Sequence, residues 1–340
     1  MRRIPVGKLI SIVILGIPAF VVLYTVVLSR IEPDQKSTVC PINPSGEVIF
    51  RMSGGGPMMY TTGGGSRELA LLRGRLYSSE VWLGFSSFYG GVLILNRLAG
   101  GDHTDIYSVL RVDGSRRTCG LSSPLDLRSH RGEWGLIGRK AHRIDIRGRS
   151  VRLLRRTLGR SDTEQIVFES ELPPGVVIDR LDSISSPSMA GEYLAFSVGG
   201  NVLVLDMQRK TIKRIASGAH AVFCSDHTLV IIPSTVTDAN RLYIETYDFR
   251  TGRTANVDVW LAQGLQRLPV LLPMVPQNRP DEIKSVSAIP DSSLLLVEVT
   301  KLGYDSSYLF LVDISGHTSC RLPVSPSRGQ WSWVPTGNRE

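Results

Sequence analysis

Three stretches in the second half of the chain repeat one order of features, and that order constrains the fold more than anything else in the sequence. SPSMAGEYLAFSVGGNVLVLDMQRKTIKRI spans 186–215, HAVFCSDHTLVIIPSTVTDANRLYIETYDFRTGRTANV spans 220–257, and IKSVSAIPDSSLLLVEVTKLGYDSSYLFLVDISGHTSCRL spans 283–322. Each begins with a short strand signal, turns through polar residues and enters a run of Val, Leu, Ile and Phe. A loop of variable length comes next, then a strand that ends at an aspartate, a tight turn and a last polar strand. Asp206, Asp248 and Asp313 mark this turn three times. Aspartate suits the position because its carboxylate bonds backbone N–H groups just ahead of it. From about residue 46 onward helical periodicity is almost absent, and several short runs alternate apolar with polar, as half-buried antiparallel strands do.

The pattern extends backward. The stretch 92–121 places Asp113 at the turn, and the stretch 134–155 places Gly148 there. Four-stranded units of ~40 residues are the signature of propeller blades. The expected fold is therefore all-β, a β-propeller of about six or seven four-stranded blades. A pair of β-sandwiches is the competing architecture, but it does not account for the recurring Asp offset. Pro290-Asp291-Ser292, Leu294–Val297 and Tyr308–Asp313 resemble TolB-type, WD40-like repeats, and residues 187–206 do so more loosely. The resemblance is clearest over 183–322. It implies a propeller and little about activity, because that family includes scaffolds, sensors and enzyme-associated domains.

The N-terminus carries a second strong signal. MRRIPVGK is basic, and Leu9 to Leu28 continues without a charged residue. A helix of that length spans ~30 Å, the hydrocarbon thickness of a bilayer. The expected organisation is a cytoplasmic leader at 1–8, a transmembrane anchor at 9–28, a Pro-rich linker at 29–45 and the β domain at 46–335. A cleaved signal peptide is the rival for 9–28. On this reading the domain lies on the periplasmic or extracellular side of a bacterial cytoplasmic membrane. Disulfides are then allowed, and Cys40 with Cys320 is the candidate pair that would close the domain's ends; Cys119 and Cys224 are the other two cysteines.

The formal net charge of +8 favours anionic partners. The densest basic cluster is Arg139, Lys140, Arg143, Arg147, Arg149, Arg152, Arg155 and Arg156, with Arg160 just beyond. It is a candidate patch for anionic headgroups or acidic envelope polymers, since the planar guanidinium matches phosphate and carboxylate. It is equally the composition of a solvated edge strand that blocks sheet-to-sheet aggregation. No aromatics interleave it, which argues against nucleic acid.

Motifs for chemistry are sparse. The chain has no G-x-S-x-G elbow and no HExxH, and its six histidines form no close pair. His103 with Asp105 is the nearest approach to a metal pair and reads as a polar loop. No cofactor is expected. The runs Gly54–Gly56 and Gly63–Gly65 lack the companions of a phosphate loop and read as turns between EVIFRM, PMMYTT and RELALL. The stretch 259–282 departs from the repeat, and Trp260, Leu261, Leu265, Leu268 and Leu271 suggest a short amphipathic helix. The leading expectation is a membrane-anchored, non-enzymatic scaffold that binds a protein or envelope component. The alternatives are a hydrolase or lyase with its polar residues at a channel mouth, and a structural binder of an acidic polymer.

Overall fold

A computed structural model of the chain divides into two compact units, Met1–Val39 and Cys40–Glu340. The residues it describes all belong to the second. They are the strands named below, the turns at 148–149, 172–176, 199–200, 207–210, 218–219, 224–227, 233–236, 249–252 and 314–317, and residues 42, 111, 192, 261, 289, 292–293, 322, 324 and 326.

The first seven strands are β1 (Gly46–Arg51), β2 (Pro57–Thr61), β3 (Gly65–Glu68), β4 (Tyr77–Ser86), β5 (Gly91–Leu98), β6 (Asp105–Leu110) and β7 (Arg116–Leu121). Then come β8 (Trp134–Ile137), β9 (Lys140–Arg147), β10 (Ser150–Thr157) and β11 (Gln165–Glu171). The next group is β12 (Ser188–Ala190), β13 (Tyr193–Val198), β14 (Asn201–Asp206) and β15 (Thr211–Ser217). After it come β16 (His220–Phe223), β17 (Thr228–Ile232), β18 (Arg241–Asp248) and β19 (Arg253–Trp260). The last strands are β20 (Glu282–Ala288), β21 (Leu294–Thr300), β22 (Ser307–Asp313), β23 (Thr318–Arg321) and β24 (Trp331–Pro335). No helix occurs among the described residues.

The strands form six four-stranded antiparallel sheets. Five are made of strands consecutive in the chain. The sixth, in the order β24-β1-β2-β3, joins the C-terminal strand to the first one, with Val48 opposite Trp333. Strands β1, β2 and β3 pair in chain order, so each glycine run falls in sequence between two paired strands. All but Gly65 of those runs lie outside the described residues.

The aspartate turns have a common build. Asp206 Oδ1 accepts the backbone N–H of Gln208 at 3.1 Å and of Arg209 at 2.8 Å. Asp248 Oδ1 accepts those of Arg250 at 2.7 Å and Thr251 at 3.1 Å, and Asp313 Oδ1 that of Ser315 at 2.9 Å. Four residues beyond each aspartate the backbone turns left-handed, at Lys210 (φ 52°), Gly252 (φ 66°) and His317 (φ 52°). Each turn leads from the third strand of a sheet to the fourth. The turn at Gly148 lies one hairpin earlier, between the second and third strands of its sheet. Asp113 is outside the described residues.

Apolar clusters fill the space between sheets. Val222, Val230, Ile232, Leu242, Ile244 and Val259 of the β16–β19 sheet pack on Leu295, Val297, Val299, Phe310 and Val312 of the β20–β23 sheet. The other face of the β16–β19 sheet, through Ala221, Leu229 and Ile231, packs on Ala195, Val202 and Val204 of the β12–β15 sheet.

This arrangement corrects three expectations. The strands fall into several small antiparallel sheets, none closed into a barrel or curled, so the fold is an all-β domain and not the expected propeller. The TolB-type, WD40-like assignment falls with it. The physical reason is that the repeat is local: an Asp turn and four short strands specify the hairpins inside one sheet and carry no instruction for setting one sheet against another. The membrane localisation, and the membrane as a partner, are corrected as well. No helix of the described residues is long and apolar enough to cross a membrane. Residues 9–28, on which that expectation rested, lie outside the described residues. In the stretch 259–282, Trp260 ends β19 and Leu261 is buried in the core, so neither belongs to the expected helix, and 262–281 lie outside the described residues.

The Asp turn predicts opposite effects for two substitutions measured by urea unfolding. Asp206→Ala removes the acceptor of two backbone N–H groups and is expected to lower stability by about 1 kcal/mol. Lys210→Gly relieves a left-handed residue of its side chain and is expected to raise stability by about 1 kcal/mol.

Candidate functional site

A cleft of about 1180 Å³ opens where the β16–β19 sheet meets the β20 edge of its neighbour. Two groups of residues line it. His220, at the start of β16, lies with Glu282, Lys284 and Ser285 of β20. Tyr243 and Glu245 of β18 lie with Asn256 and Asp258 of β19.

His220 links the sheets. Its Nε2 is 3.0 Å from the carbonyl oxygen of Ile283. A carbonyl only accepts, so Nε2 carries the proton and Nδ1 holds a lone pair. Burial, the largest influence, pushes the ring's pKa below its ordinary value of 6.5, and Lys284 pushes the same way. The bond to Ile283 and the carboxylates of Glu282 and Glu298 pull it back up without reversing the shift. The ring is therefore neutral near pH 7. Beside it, Lys284 Nζ is 2.5 Å from Glu282 Oε2. The β20 edge is held in place by the Ile283 N–H, which donates to the Ser234 carbonyl at 2.8 Å.

Behind this wall sits Glu298, a fully buried carboxylate on β21. Its Oε2 accepts the Ser285 hydroxyl at 2.6 Å and the Trp331 indole N–H at 2.9 Å. Satisfying this buried polar group ties the cleft wall to the C-terminal strand.

The second group arises from strand register. Tyr243 stands opposite Asp258, and Glu245 opposite Asn256. Directly opposed residues share a face, so all four project from one side of the β18–β19 ribbon. Leu242, Ile244 and Val259 project from the other side and are buried. Asp258 is held by Arg241 at 3.2 Å.

None of the described arginines of the basic cluster lines the cleft. Arg147 pairs with Asp145 at 3.1 Å, and Arg152 with Glu169, its cross-strand neighbour, at 2.8 Å. Arg149 donates to the Leu172 carbonyl, and Arg155 to Gln165. Arg139, and the side chains of Lys140, Arg143 and Arg156, lie outside the described residues. Cys320 is disulfide-bonded and buried. Cys40 lies outside the described residues, but Ile42 packs into the apolar cluster that contains Cys320. Cys224 is a free thiol whose pKa burial raises. Among the described residues, no group of three or more His, Cys, Asp or Glu is placed to hold a metal ion.

None of the cleft residues was singled out by motif. The available signal was the phase of alternation in 241–260. Tyr243 and Trp260 are aromatics in the polar phase of their strands, beside Glu245 and Asp258.

No protein-family model matches the chain, and no curated protein matches it in sequence. Solved structures do. One is a putative 6-phosphogluconolactonase from Bacteroides uniformis, 13% identical, with TM-score 0.43, covering 86% of this chain and 83% of that one. Another is an oligogalacturonate lyase in complex with manganese, 12% identical, with TM-score 0.41, covering 78% of this chain and 69% of that one. A third is a Saccharomyces cerevisiae assembly of Dbp5 with Nup159, Gle1, IP6 and ADP, 11% identical, with TM-score 0.37. That match covers 73% of this chain, which spans 61% of the matched chain. At such identities and scores these likenesses carry no functional weight. The expectation of a membrane-anchored propeller acting as a non-enzymatic scaffold is corrected with its premises, since the sheets form no propeller and no helix of the described residues is long and apolar enough to cross a membrane.

The candidate disulfide predicts the outcome of peptide mapping without reductant. One peptide is expected to join Cys40 to Cys320, with Cys224 recovered as a free thiol. A peptide joining Cys119 to Cys320 would replace that pairing.

Proposed function

We propose that the protein is an acid–base enzyme, a hydrolase or lyase, that takes a polar ligand into this cleft and uses His220 as general base. One observation carries the reading. Nε2 of His220 is committed to the Ile283 carbonyl, and the ring makes no other hydrogen bond among the described residues. Nδ1 is left to accept a proton from water or from the ligand. Burial keeps the ring unprotonated at neutral pH, the state a base requires. A fixed tautomer is what a backbone carbonyl supplies to a working histidine. Lys284 lines the same rim and forms a net-neutral pair with Glu282. The ammonium N–H groups not spent on that carboxylate can donate to a ligand oxygen that gains charge as the proton leaves.

The reaction belongs to a class that needs only proton transfer and electrostatic stabilisation. His220 removes a proton from water, which then attacks an ester, lactone or glycosidic carbon, or it removes a carbon-bound proton and a leaving group departs. Either route returns the proton to the leaving oxygen and regenerates the neutral ring.

A screen of the full chain against ester, lactone, glycoside and uronide substrates is expected to find turnover. His220→Gln is expected to lower kcat/KM by about 10²- to 10⁴-fold. The base works only when neutral, and its pKa lies below 6.5, so activity is expected to be flat above that pH and lost as pH falls through a lower midpoint. A rate unchanged by the substitution, or a midpoint above 6.5, would remove His220 from the role.

A further inference from the structure

The β18–β19 ribbon carries a second feature that the chemistry at His220 does not use. Three of the four opposed pairs on its polar face form a ladder toward the Trp260 end, Arg241 with Trp260, Tyr243 with Asp258 and Glu245 with Asn256, while the fourth, Tyr247 with Thr254, lies where Tyr247 packs on the neighbouring apolar cluster. Tyr243 is 51% exposed and Trp260 54%. Among the described residues only one other large hydrophobic side chain, Ile166, is comparably exposed. The two aromatics occupy diagonal positions on adjacent strands, a placement of ~7–8 Å between residues that large side chains bridge. The opposite face, through Leu242, Ile244 and Val259, is sealed in the core. The ribbon is thus held rigidly while its aromatic side stays in water.

Charge narrows what this face takes. Arg241 is paired with Asp258 at 3.2 Å and lies 5.5 Å from the centre of the Trp260 ring. Lys284 is paired with Glu282, and His220 is held neutral. Arg214, beside the cleft, donates to the hydroxyl of the lining Ser217 at 3.1 Å. The side chains of Glu245 and Asn256 make no hydrogen bond or ion pair among the described residues. On the ladder itself, a phosphate or carboxylate ligand would meet the free Glu245 carboxylate, while the ladder's own cation, Arg241, is already paired with Asp258. The Asn256 amide offers a donor and an acceptor together, which suits hydroxyl groups and gives no advantage to a simple cation.

We infer that the ladder is a subsite for neutral, polyhydroxylated ligands of the saccharide class. The apolar C–H face of a sugar ring packs on Tyr243, and its hydroxyls are taken by Asn256 and Glu245. Trp260, braced by Arg241, extends the platform for a ligand longer than one ring. This inference deepens the enzymatic reading and rests on it for the chemistry done on the bound ligand. The binding itself is independent of turnover.

Calorimetric titration of the full chain with cellohexaose, laminarihexaose and maltohexaose tests it, with hexagalacturonate as the acidic arm and choline as the cationic arm. At least one neutral hexaose is expected to bind, and hexagalacturonate and choline to bind ~10-fold more weakly or not at all. Tyr243→Ala and Asn256→Ala are each expected to weaken the neutral ligand by about 10-fold, with the thermal transition unchanged because both side chains are exposed. The inference is overturned if no neutral hexaose binds at about 10 mM, if hexagalacturonate or choline binds as well, or if Tyr243→Ala binds like the parent. His220→Gln separates the two proposals. Retained binding with lost turnover supports both; retained binding with unchanged turnover supports the subsite and overturns the base.

Discussion

Burial on both faces of the middle strands is the constraint on which the rest of the structure depends. In β13, β14, β21 and β22 nearly every residue is buried, on both sides of the pleat. A sheet with one wet face would alternate; these read as near-continuous Val, Leu, Ile and Phe because another sheet covers each side. The fourth strands β15 and β19 are different, being mostly exposed. These two sheets therefore grade from a dry centre to a wet margin. A sheet so built has little freedom of register in the middle, where a one-residue slip would disturb two packed layers. It has wide freedom of composition at the margin.

The cleft lies where that gradient is crossed. His220 belongs to the buried side, on a first strand that touches the next sheet through Ile283. Tyr243, Glu245, Asn256 and Asp258 belong to the wet margin of the same sheet. A buried histidine with a shifted pKa and an open platform for a ligand need opposite surroundings. One four-stranded sheet supplies both because its strands differ so much in exposure. Glu298 reinforces the dry side: its carboxylate, bonded to Ser285 and Trp331, fixes the wall behind the cleft and couples it to β24. Since β24 pairs with β1, the position of that wall depends on both ends of the domain.

The range of each interaction decided whether the sequence disclosed it. The Asp206, Asp248 and Asp313 turns were legible because each is closed by bonds to residues two or three positions away. The strands around them were legible because alternation and apolar runs are local. The arrangement of sheets was not, because it depends on contacts between residues far apart in the chain, such as Val297 with Ile244 in one cluster. The cleft was illegible for a related reason. Nothing in the spacing of 220 and 283 announces that the imidazole of one meets the carbonyl of the other. The ladder was half legible: alternation puts Tyr243 and Glu245 on one face, but only the register opposite Asp258 and Asn256 makes them a site.

Net charge and the proposed ligand point in different directions, and the pairing of the described charges accounts for the difference. A net charge of +8 points to anionic partners if the basic groups are free. Here the described arginines of the basic cluster are engaged close to home: Arg147 by Asp145, Arg152 by Glu169, Arg149 by a backbone carbonyl, Arg155 by Gln165. Screening at physiological salt shortens the reach of such charges to ~8 Å, so they act on their own sheet. Inside the cleft the local balance runs the other way. Asp258 and Glu282 are matched by Arg241 and Lys284, and Glu245 is left over. A ligand approaching that surface meets a slightly acidic, aromatic wall on a basic protein. Its affinity is set by the few groups within hydrogen-bond reach, and those groups are an amide, a carboxylate and the face of a tyrosine.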